Sequence, residues 1–145
     1  MRAVCQRVTE ASVRVDGATV AEIGPGLCVL IGVARRDREA DAGRLAGKVA
    51  RLRVFEGDGE RFERSLLDTG GATLVVSQFT LLADTSKGNR PSFTDAAPSG
   101  EAEALYGRFC AALDALGVAV ERGLFGAKMQ VELVNGGPVT IVLDV

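Results

Sequence analysis

The stretch "ATLVVSQFTLLA", residues Ala72–Ala83, predicts the most pronounced β-strand of the chain. Its first half is continuously apolar and rich in β-branched residues, as in a buried central strand. Polar Ser77, Gln78 and Thr80 then interrupt the apolar run. Two interpretations fit this pattern equally well. One is simple alternation, with Phe79 facing the core. The other is a functional strand end, whose N–H, hydroxyl and amide groups converge on a carbonyl or oxyanion.

Further strands are indicated on both sides of this stretch. The unbroken apolar run "LCVLIGVA", residues 27–34, predicts another central strand, and Asp16-Gly17 is a strong hairpin signal. The remaining strands are predicted at residues 1–8, 12–15, 19–23, 118–121, 128–134 and 139–145.

Two helices complete the predicted elements. Asp37 is predicted to cap a helix that begins near Arg38, and a second helix is predicted from Ser99 to Leu116, with Gly117 just beyond its end. The class is therefore α+β. We expect a largely antiparallel, barrel-like sheet with two main helices packed on it, in one domain spanning residues 1–145.

The composition is that of a soluble globular protein, with 47% hydrophobic and 25% charged residues among 145. No apolar run reaches the roughly 18 residues of a membrane span. The opening stretch "MRAVCQRVTEASVRV" alternates like a strand and does not resemble a signal peptide. We therefore expect a cytoplasmic protein with no membrane partner.

The chain contains no histidine, which excludes Ser-His-Asp and Cys-His catalysis and zinc sites with histidine ligands. Cys5, Cys28 and Cys110 lie in apolar patterns and are predicted to be small buried side chains. We expect no metal and no cofactor. Any catalysis must rely on carboxylates, hydroxyls, lysine, backbone dipoles or the substrate itself.

The formal net charge of −2 provides no general attraction for nucleic acid, and we expect no DNA partner. The segment "KGNRPSF", residues 87–93, contains two cations around a Gly-Asn turn. A solvated loop is the simplest interpretation. A phosphate-contacting patch made by Lys87 and Arg90 is the functional alternative.

The segment "LVNGGPVTIVL", residues 133–143, places Gly136, Gly137 and Pro138 between two predicted strands. Proline cannot donate to a strand ladder, and tandem glycine is costly to order. A hairpin with glycines at positive φ is the simplest interpretation.

Four segments together resemble the D-aminoacyl-tRNA deacylase family: "MRAVCQRVTEASVRVDG", "VVSQFTLLADTSKGNRPSFTDAA", "FGAKMQV" and "LVNGGPVT". The resemblance covers nearly the whole chain. It implies an enzyme that hydrolyses the ester of D-aminoacyl-tRNA as a chirality check in translation. It also implies that tRNA is the partner, bound through its aminoacylated 3′ end, and that the protein is an obligate homodimer.

The same resemblance implies the site residues. Ser77–Thr80 form one wall, and Gly137-Pro138 is a cis peptide inserted into the partner's active site. Phe125 and Met129 lie near the site, and Arg7 holds the Gly-Pro loop. Departures from the family pattern, at "RFE" (residues 61–63) and at residue 128, concern contacts to RNA or the partner rather than the pocket.

A rigid main-chain segment is well suited to tell D- from L-residues, since flexible side chains would adapt to both. Such a pocket cannot exclude glycine, so glycyl-tRNA, including glycine mischarged on tRNA(Ala), is an expected second substrate. Thr80 lacks an activating base. The resemblance therefore favours assistance by the ribose 2′-OH, with backbone N–H groups at Phe79 and Thr80 as oxyanion donors.

Two other functions are compatible with the residues alone. One is a hydrolase of small esters or amides with Thr80 or Ser77 as nucleophile, which the absence of a base opposes. The other is a non-catalytic RNA-binding dimer module, which the acidic balance and the absence of an aromatic-basic surface oppose.

Overall fold

The computed structural model describes residues 1–145, which form eight β-strands and three α-helices. The strands are β1 Arg2–Val15, β2 Ala18–Ile23, β3 Gly26–Gly32, β4 Phe55–Glu56, β5 Phe62–Arg64, β6 Ala72–Ser77, β7 Ala119–Arg122 and β8 Gln130–Asp144. The helices are α1 Glu39–Arg51, α2 Leu66–Thr69 and α3 Ser99–Ala115, and a 3-10 helix, Phe79–Leu82, follows β6.

The sheet is organised around the 14-residue strand β1, which pairs with other strands along both of its edges. β8 runs antiparallel along one edge, while β3 and β2 share the other, also antiparallel. Beyond β3 the sheet continues through β6 and β7, which are parallel to their neighbours. The predicted α+β class, with helices packed on a barrel-like sheet, is confirmed, although the sheet is mixed.

Both faces of the central strands are buried. The face towards α1 and α3 carries the larger core, which includes Val29, Ile31 and Phe109. The opposite face carries a smaller core that includes Cys28 and Leu74. Since β3 is covered on both sides, it needs apolar residues at nearly every position. The unbroken run in "LCVLIG" is therefore a consequence of its central place in the sheet.

The start of α1 differs from the prediction. Asp37 does not cap the helix, because its carboxylate accepts hydrogen bonds from the Met1 amino group at 2.6 Å and from the Ala34 N–H at 2.6 Å. Arg38 occupies the N-cap position, and its N–H donates to the Asp41 carboxylate at 2.9 Å. The predicted start of the helix near Arg38 is confirmed, since α1 begins at Glu39.

The strand predicted over residues 72–83 ends at Ser77, so the second half of that prediction is wrong. The N–H of Gln78 donates to the Ile31 carbonyl at 2.7 Å, and the chain then turns into the 3-10 helix. Leu82 packs there against Gly32, where a Cβ would lie 2.3 Å from the Leu82 side chain. Leu81 and Leu82 are therefore apolar because the 3-10 helix packs against the end of β3, and not because they extend the strand.

The two strands predicted on either side of the glycines are one strand, β8. The ladder with β1 shifts register between Gln6 and Glu10, opposite Gly136–Pro138, so the trio forms a bulge rather than a hairpin. β8 pairs only with β1, so its outer edge is free. An edge position tolerates Pro138, which has no N–H to donate.

The second predicted helix is confirmed as α3, and Gly117 beyond it has φ +92°. Local pattern did not indicate the single turn of α2 or the β4–β5 hairpin. None of the helices has the length and apolar character that crossing a membrane would require.

Candidate active site

The candidate site lies where two parallel strands end side by side. Ile31 of β3 pairs with Ser77 of β6 in the last register position. The segments that follow these two strands therefore emerge at the same edge of the sheet, which is where open sheets with parallel strands bind ligands. One segment leads to Arg35 and the other forms the 3-10 helix.

A cleft of about 700 Å³ opens at this edge, and its lining is mostly apolar. Segments distant in sequence contribute to it, including the ends of β3 and β6, the start of α3, and the stretch before β8. The lining residues are Val33, Arg35, Val76, Ser77, Gln78, Phe79, Phe93, Ala96, Ala97, Pro98, Ser99, Ala102, Phe125, Gly126, Ala127, Met129 and Val131. The cleft thus contains Ser77, Gln78, Phe79, Phe125 and Met129 from the sequence prediction.

Aromatic side chains form much of the cleft surface. Phe79 is 54% exposed, so the interpretation that placed it in the core is wrong. Its ring meets Phe93 edge to face, with centroids 5.0 Å apart. Phe125 packs against the buried ring of Tyr106 at 5.8 Å, and the Tyr106 hydroxyl donates to the Val75 carbonyl at 2.8 Å. The hydrophobic core thereby holds Phe125, one of the aromatic residues of the cleft, in place.

Thr80 does not line the cleft, and its hydroxyl accepts a hydrogen bond from the Gln78 side-chain amide. An amide cannot act as a general base, so this contact does not activate the hydroxyl. The N–H groups of Phe79 and Thr80 stand at the start of the 3-10 helix, where no acceptor exists within the helix. Such N–H groups can stabilise an oxyanion.

The cleft contains very few charged groups. Arg35 is its only charged lining residue, and no aspartate or glutamate reaches it. Pro98 and Ser99, at the positive end of α3, also line it. The cleft therefore favours a substrate with negative charge near its mouth.

Gly137 and Pro138 lie elsewhere, in an exposed bulge of β8 that does not touch the cleft of the same chain. Their peptide bond is cis, and Gly137 has φ +131°. Arg7 anchors the bulge: its Nε donates to the Gly136 carbonyl and its Nη1 to the Val54 carbonyl, each at 2.8 Å. Arg7 thus contacts the loop as predicted, and the loop is held firmly although it is exposed.

Lys87 and Arg90 lie beside the cleft rather than in it. They line a polar depression of about 280 Å³ together with Asp84, Ser92, Thr94 and Asp95. Hydrogen bonds from Ser86 lower the pKa of the Asp84 carboxyl, which keeps this neighbour of the cations ionised. The depression connects to the cleft through Arg35, whose Nε donates to the Thr94 carbonyl at 2.7 Å.

The cysteines take no part in the site. All three are buried as predicted, and burial raises the pKa of Cys5 to about 12 and that of Cys28 to about 11. Burial also raises the pKa of Cys110. These thiols are therefore protonated at neutral pH and are poor nucleophiles. No group of three or more His, Cys, Asp or Glu side chains is arranged to hold a metal ion.

A second concavity, of about 870 Å³, lies across β1, β2 and β8. It is larger than the cleft, but it contains none of the predicted site residues. Its lining includes Glu10, Glu22 and Glu132, which would repel the phosphates of RNA. We therefore assign the site to the cleft.

Most of the cleft lining was not predicted from the sequence. Arg35, its one charged residue, and Phe93, one of its aromatic residues, are the functional candidates that were missed. Phe93 follows a basic loop with no strand or helix pattern of its own, and Arg35 lies in "ARRDRE", which is typical of an exposed polar stretch. The one available signal was the position of Arg35 directly after a central strand, where parallel neighbours place functional residues.

The fold and its cleft place the chain in a structural class shared with solved proteins. One is described as a c-Myc DNA unwinding element binding protein, which is 42% identical and has a TM-score of 0.94, covering 100% of this chain and 99% of that chain. Another is described as a probable eukaryotic D-amino acid tRNA deacylase, with a TM-score of 0.83. At 20% identity over 99% of this chain and 98% of that chain, it supports the fold alone.

Sequence comparison gives the family within this class. The D-Tyr-tRNA(Tyr) deacylase family model matches residues 4–144. Proteins named D-aminoacyl-tRNA deacylase are similar over the same length. The one from Ruegeria pomeroyi is 57% identical over 100% of both chains, and the one from Dinoroseobacter shibae is 59% identical over 99% of both. The chain belongs to the D-Tyr-tRNA(Tyr) deacylase family, and the resemblance described above is confirmed.

Proposed function

We propose that the cleft at the ends of β3 and β6 is where this protein hydrolyses the ester bond of D-aminoacyl-tRNA, releasing a D-amino acid and free tRNA. One observation carries this conclusion. Relatives named for that activity are 57–59% identical over 99–100% of the chain. The protein is a hydrolase acting on aminoacyl-tRNA. We propose that residues 1–145 act as one domain in the cytoplasm, where aminoacyl-tRNA is consumed.

Within the cleft, Phe125 and Met129 are proposed to contact the substrate, and Ser77–Phe79 are proposed to position its ester. The supporting geometry is a mostly apolar cleft that places polar groups only at the strand end. This combination, an apolar pocket with a few convergent polar groups, is the usual form of a small-ligand site. Lys87 and Arg90, beside the cleft, are proposed to contact tRNA phosphates.

The chirality check is proposed to come from the Gly137–Pro138 bulge of a second copy of the chain. In its own subunit the bulge is exposed, anchored by Arg7 and absent from the cleft. β8 also has a free edge and no fully buried residue, and it exposes Val134 and Val142 by 49% and 59%. An apolar edge strand of this kind suits burial against a partner.

This homodimer is directly testable. Sedimentation equilibrium should give a mass about twice the 15.1 kDa of one chain. Val142→Glu, which would place a charge in the proposed interface, should shift the mass towards that of one chain. A monomer at micromolar concentration that retains full activity would contradict the shared site.

Selection by main-chain atoms works through exclusion of the L side chain. D- and L-residues differ only in which position around one carbon carries the side chain. Glycine carries hydrogen at both positions, so exclusion cannot reject it. We therefore propose that glycyl-tRNA, including glycine mischarged on tRNA(Ala), is a second substrate. Resistance of glycyl-tRNA to saturating enzyme would contradict steric exclusion.

For the chemical step, we propose that the substrate's ribose 2′-OH assists hydrolysis and that the N–H groups of Phe79 and Thr80 stabilise the oxyanion. The Thr80 hydroxyl is engaged by Gln78 and has no base. Thr80→Ala should therefore keep substantial activity, whereas a 2′-deoxy terminal adenosine should largely abolish it. The reverse pattern would support a threonine nucleophile.

The central experiment is side-by-side hydrolysis of D- and L-tyrosyl-tRNA by the purified protein. We expect rapid release of D-tyrosine and no acceleration with the L-form. Chirality-dependent deacylation would eliminate a purely RNA-binding module. Small D-amino acid esters without tRNA serve as a control, because fast turnover of these would favour a general small-ester hydrolase.

A further inference from the structure

The only charge in the cleft comes from Arg35, although the chain as a whole has a net charge of −2. Arg35 is exposed, so its guanidinium is solvated and accessible to an anion that enters the cleft. The protein supplies none in the cleft, because no carboxylate lines it. An anion that pairs with Arg35 in the cleft must therefore come from the substrate.

The guanidinium of Arg35 is oriented but not neutralised. Its Nε donates to the Thr94 carbonyl at 2.7 Å, and its backbone N–H donates to the Asp95 carbonyl at 3.0 Å. Neither Nη has a hydrogen-bond partner in the protein. Arg35 shares the lack of an ion pair with most arginines of the chain, and it is the one among them that lines the cleft. The arginines that do form ion pairs with carboxylates are Arg2, Arg7, Arg14, Arg44 and Arg108.

The chemistry of the substrate narrows the choice of anion. In an aminoacyl-tRNA the carboxyl group of the amino acid is esterified and carries no charge, and the amino group is cationic. The nearest anion to the ester is the phosphate on the 5′ side of the terminal nucleoside. Arginine with two free Nη groups is well suited to bind phosphate oxygens in a forked arrangement.

We infer that Arg35 binds this phosphate and thereby positions the terminal nucleoside in the cleft. The inference rests on the proposed function. The contact from Arg35 to Thr94 also links the cleft to the depression that contains Lys87 and Arg90. The tRNA strand therefore leaves the cleft past Arg35 and over the loop of residues 84–95.

The test compares two minimal substrates that differ only in this phosphate: 3′-O-D-tyrosyl-adenosine and 3′-O-D-tyrosyl-5′-AMP. For the wild type, we expect kcat/KM to be about tenfold higher with the phosphate, the size of one charged hydrogen-bonding contact. Arg35→Gln should reduce this ratio to about one, and Arg35→Lys should restore part of it. Arg36→Gln is the matched control, because Arg36 is exposed and does not line the cleft; it should keep the wild-type ratio.

A second readout uses D-tyrosyl-tRNA itself. Loss of one phosphate contact should reduce the slope of log(kcat/KM) against log salt concentration by about 0.7 for single-stranded RNA. If Arg35→Gln leaves both the ratio and the slope at their wild-type values, or lowers activity on both small esters equally, the inference is wrong and Arg35 only holds the Thr94 loop. If the wild type fails to hydrolyse D-tyrosyl-tRNA, the proposed function fails and the inference fails with it.

Discussion

Replacement of Gly137 by alanine tests the Gly137–Pro138 bulge most directly. Gly137 has φ +131°, a conformation that residues with a side chain rarely adopt. A Cβ at this position would lie 2.9 Å from Nη2 of Arg7 and 2.9 Å from a methyl carbon of Val139. It would also lie 3.0 Å from the Val139 backbone nitrogen. The side chain of Arg7 can move, but the backbone cannot do so without displacing the bulge.

The expected loss of stability follows from the backbone conformation of Gly137 and from these close contacts. A residue with a side chain held at such a φ costs about 1–3 kcal/mol. For a chain of this length, 1 kcal/mol corresponds to a change in melting temperature of roughly 4 °C. We therefore expect Gly137→Ala to lower the melting temperature by about 4–12 °C. If instead the bulge moves to relieve the strain, hydrolysis of D-tyrosyl-tRNA should fall at least about tenfold, because a shift of about 1 Å is enough to misplace a substrate.

Gly136→Ala is the matched control. Its Cβ would meet only a methyl group of Thr9, at an ordinary contact distance of 3.5 Å. Thermal unfolding and single-turnover deacylation of D- and L-tyrosyl-tRNA should be measured for both variants at equal protein concentration. Two variants that are equally stable and hydrolyse D-tyrosyl-tRNA at the same rate would refute the structural reasoning. A destabilised Gly137→Ala enzyme with wild-type rate and selectivity would refute the assignment of the bulge as the chirality element.

Three further predictions concern stability and reactivity. Tyr106→Phe removes the buried hydrogen bond to the Val75 carbonyl and should cost about 1 kcal/mol in the free energy of unfolding, measured by urea denaturation. Cys5 and Cys28, with pKa values of about 12 and 11, should resist iodoacetamide at pH 8 until denaturant is added; fast alkylation of the native protein would contradict their burial. Hydrogen bonds at the start of α2 lower the pKa of Asp68, so its stabilising effect is present at neutral pH and is lost as the pH falls through its folded-state pKa. The stability difference between wild type and Asp68→Asn should therefore shrink below about pH 4.

Much of the fold was predictable because the apolar periodicity of the sequence matches the pattern of buried residues in the structure. The run at residues 27–34 is apolar throughout, since β3 is buried on both faces, and α3 shows its apolar stripe and its terminal glycine. The end of β6 was not predictable in the same way. Leu81 and Leu82 continue the apolar pattern of the strand. The 3-10 helix to which they belong packs against Gly32, which is distant in sequence and leaves room for the Leu82 side chain because it has none of its own.

The candidate site was predictable in part for a similar reason. Polar residues within an apolar strand indicated Ser77 and Gln78, and resemblance supplied Phe125 and Met129. Arg35 was missed because its place directly after a predicted strand is the only local feature that separates it from the neighbouring Arg36. The parallel register of β3 with β6 brings one of these two arginines to the cleft, and pairing between strands is not visible in the sequence of either strand.

The pairing of β1 with β8 has a consequence for synthesis of the protein on the ribosome. β8 begins more than a hundred residues after β1 ends. At ordinary rates of translation, one edge of β1 therefore stays unpaired for on the order of ten seconds before β8 is synthesised. During that interval the nascent polypeptide presents an unsatisfied strand to the cell. Emergence of the last strand, rather than of either helix, is therefore the event that completes the sheet.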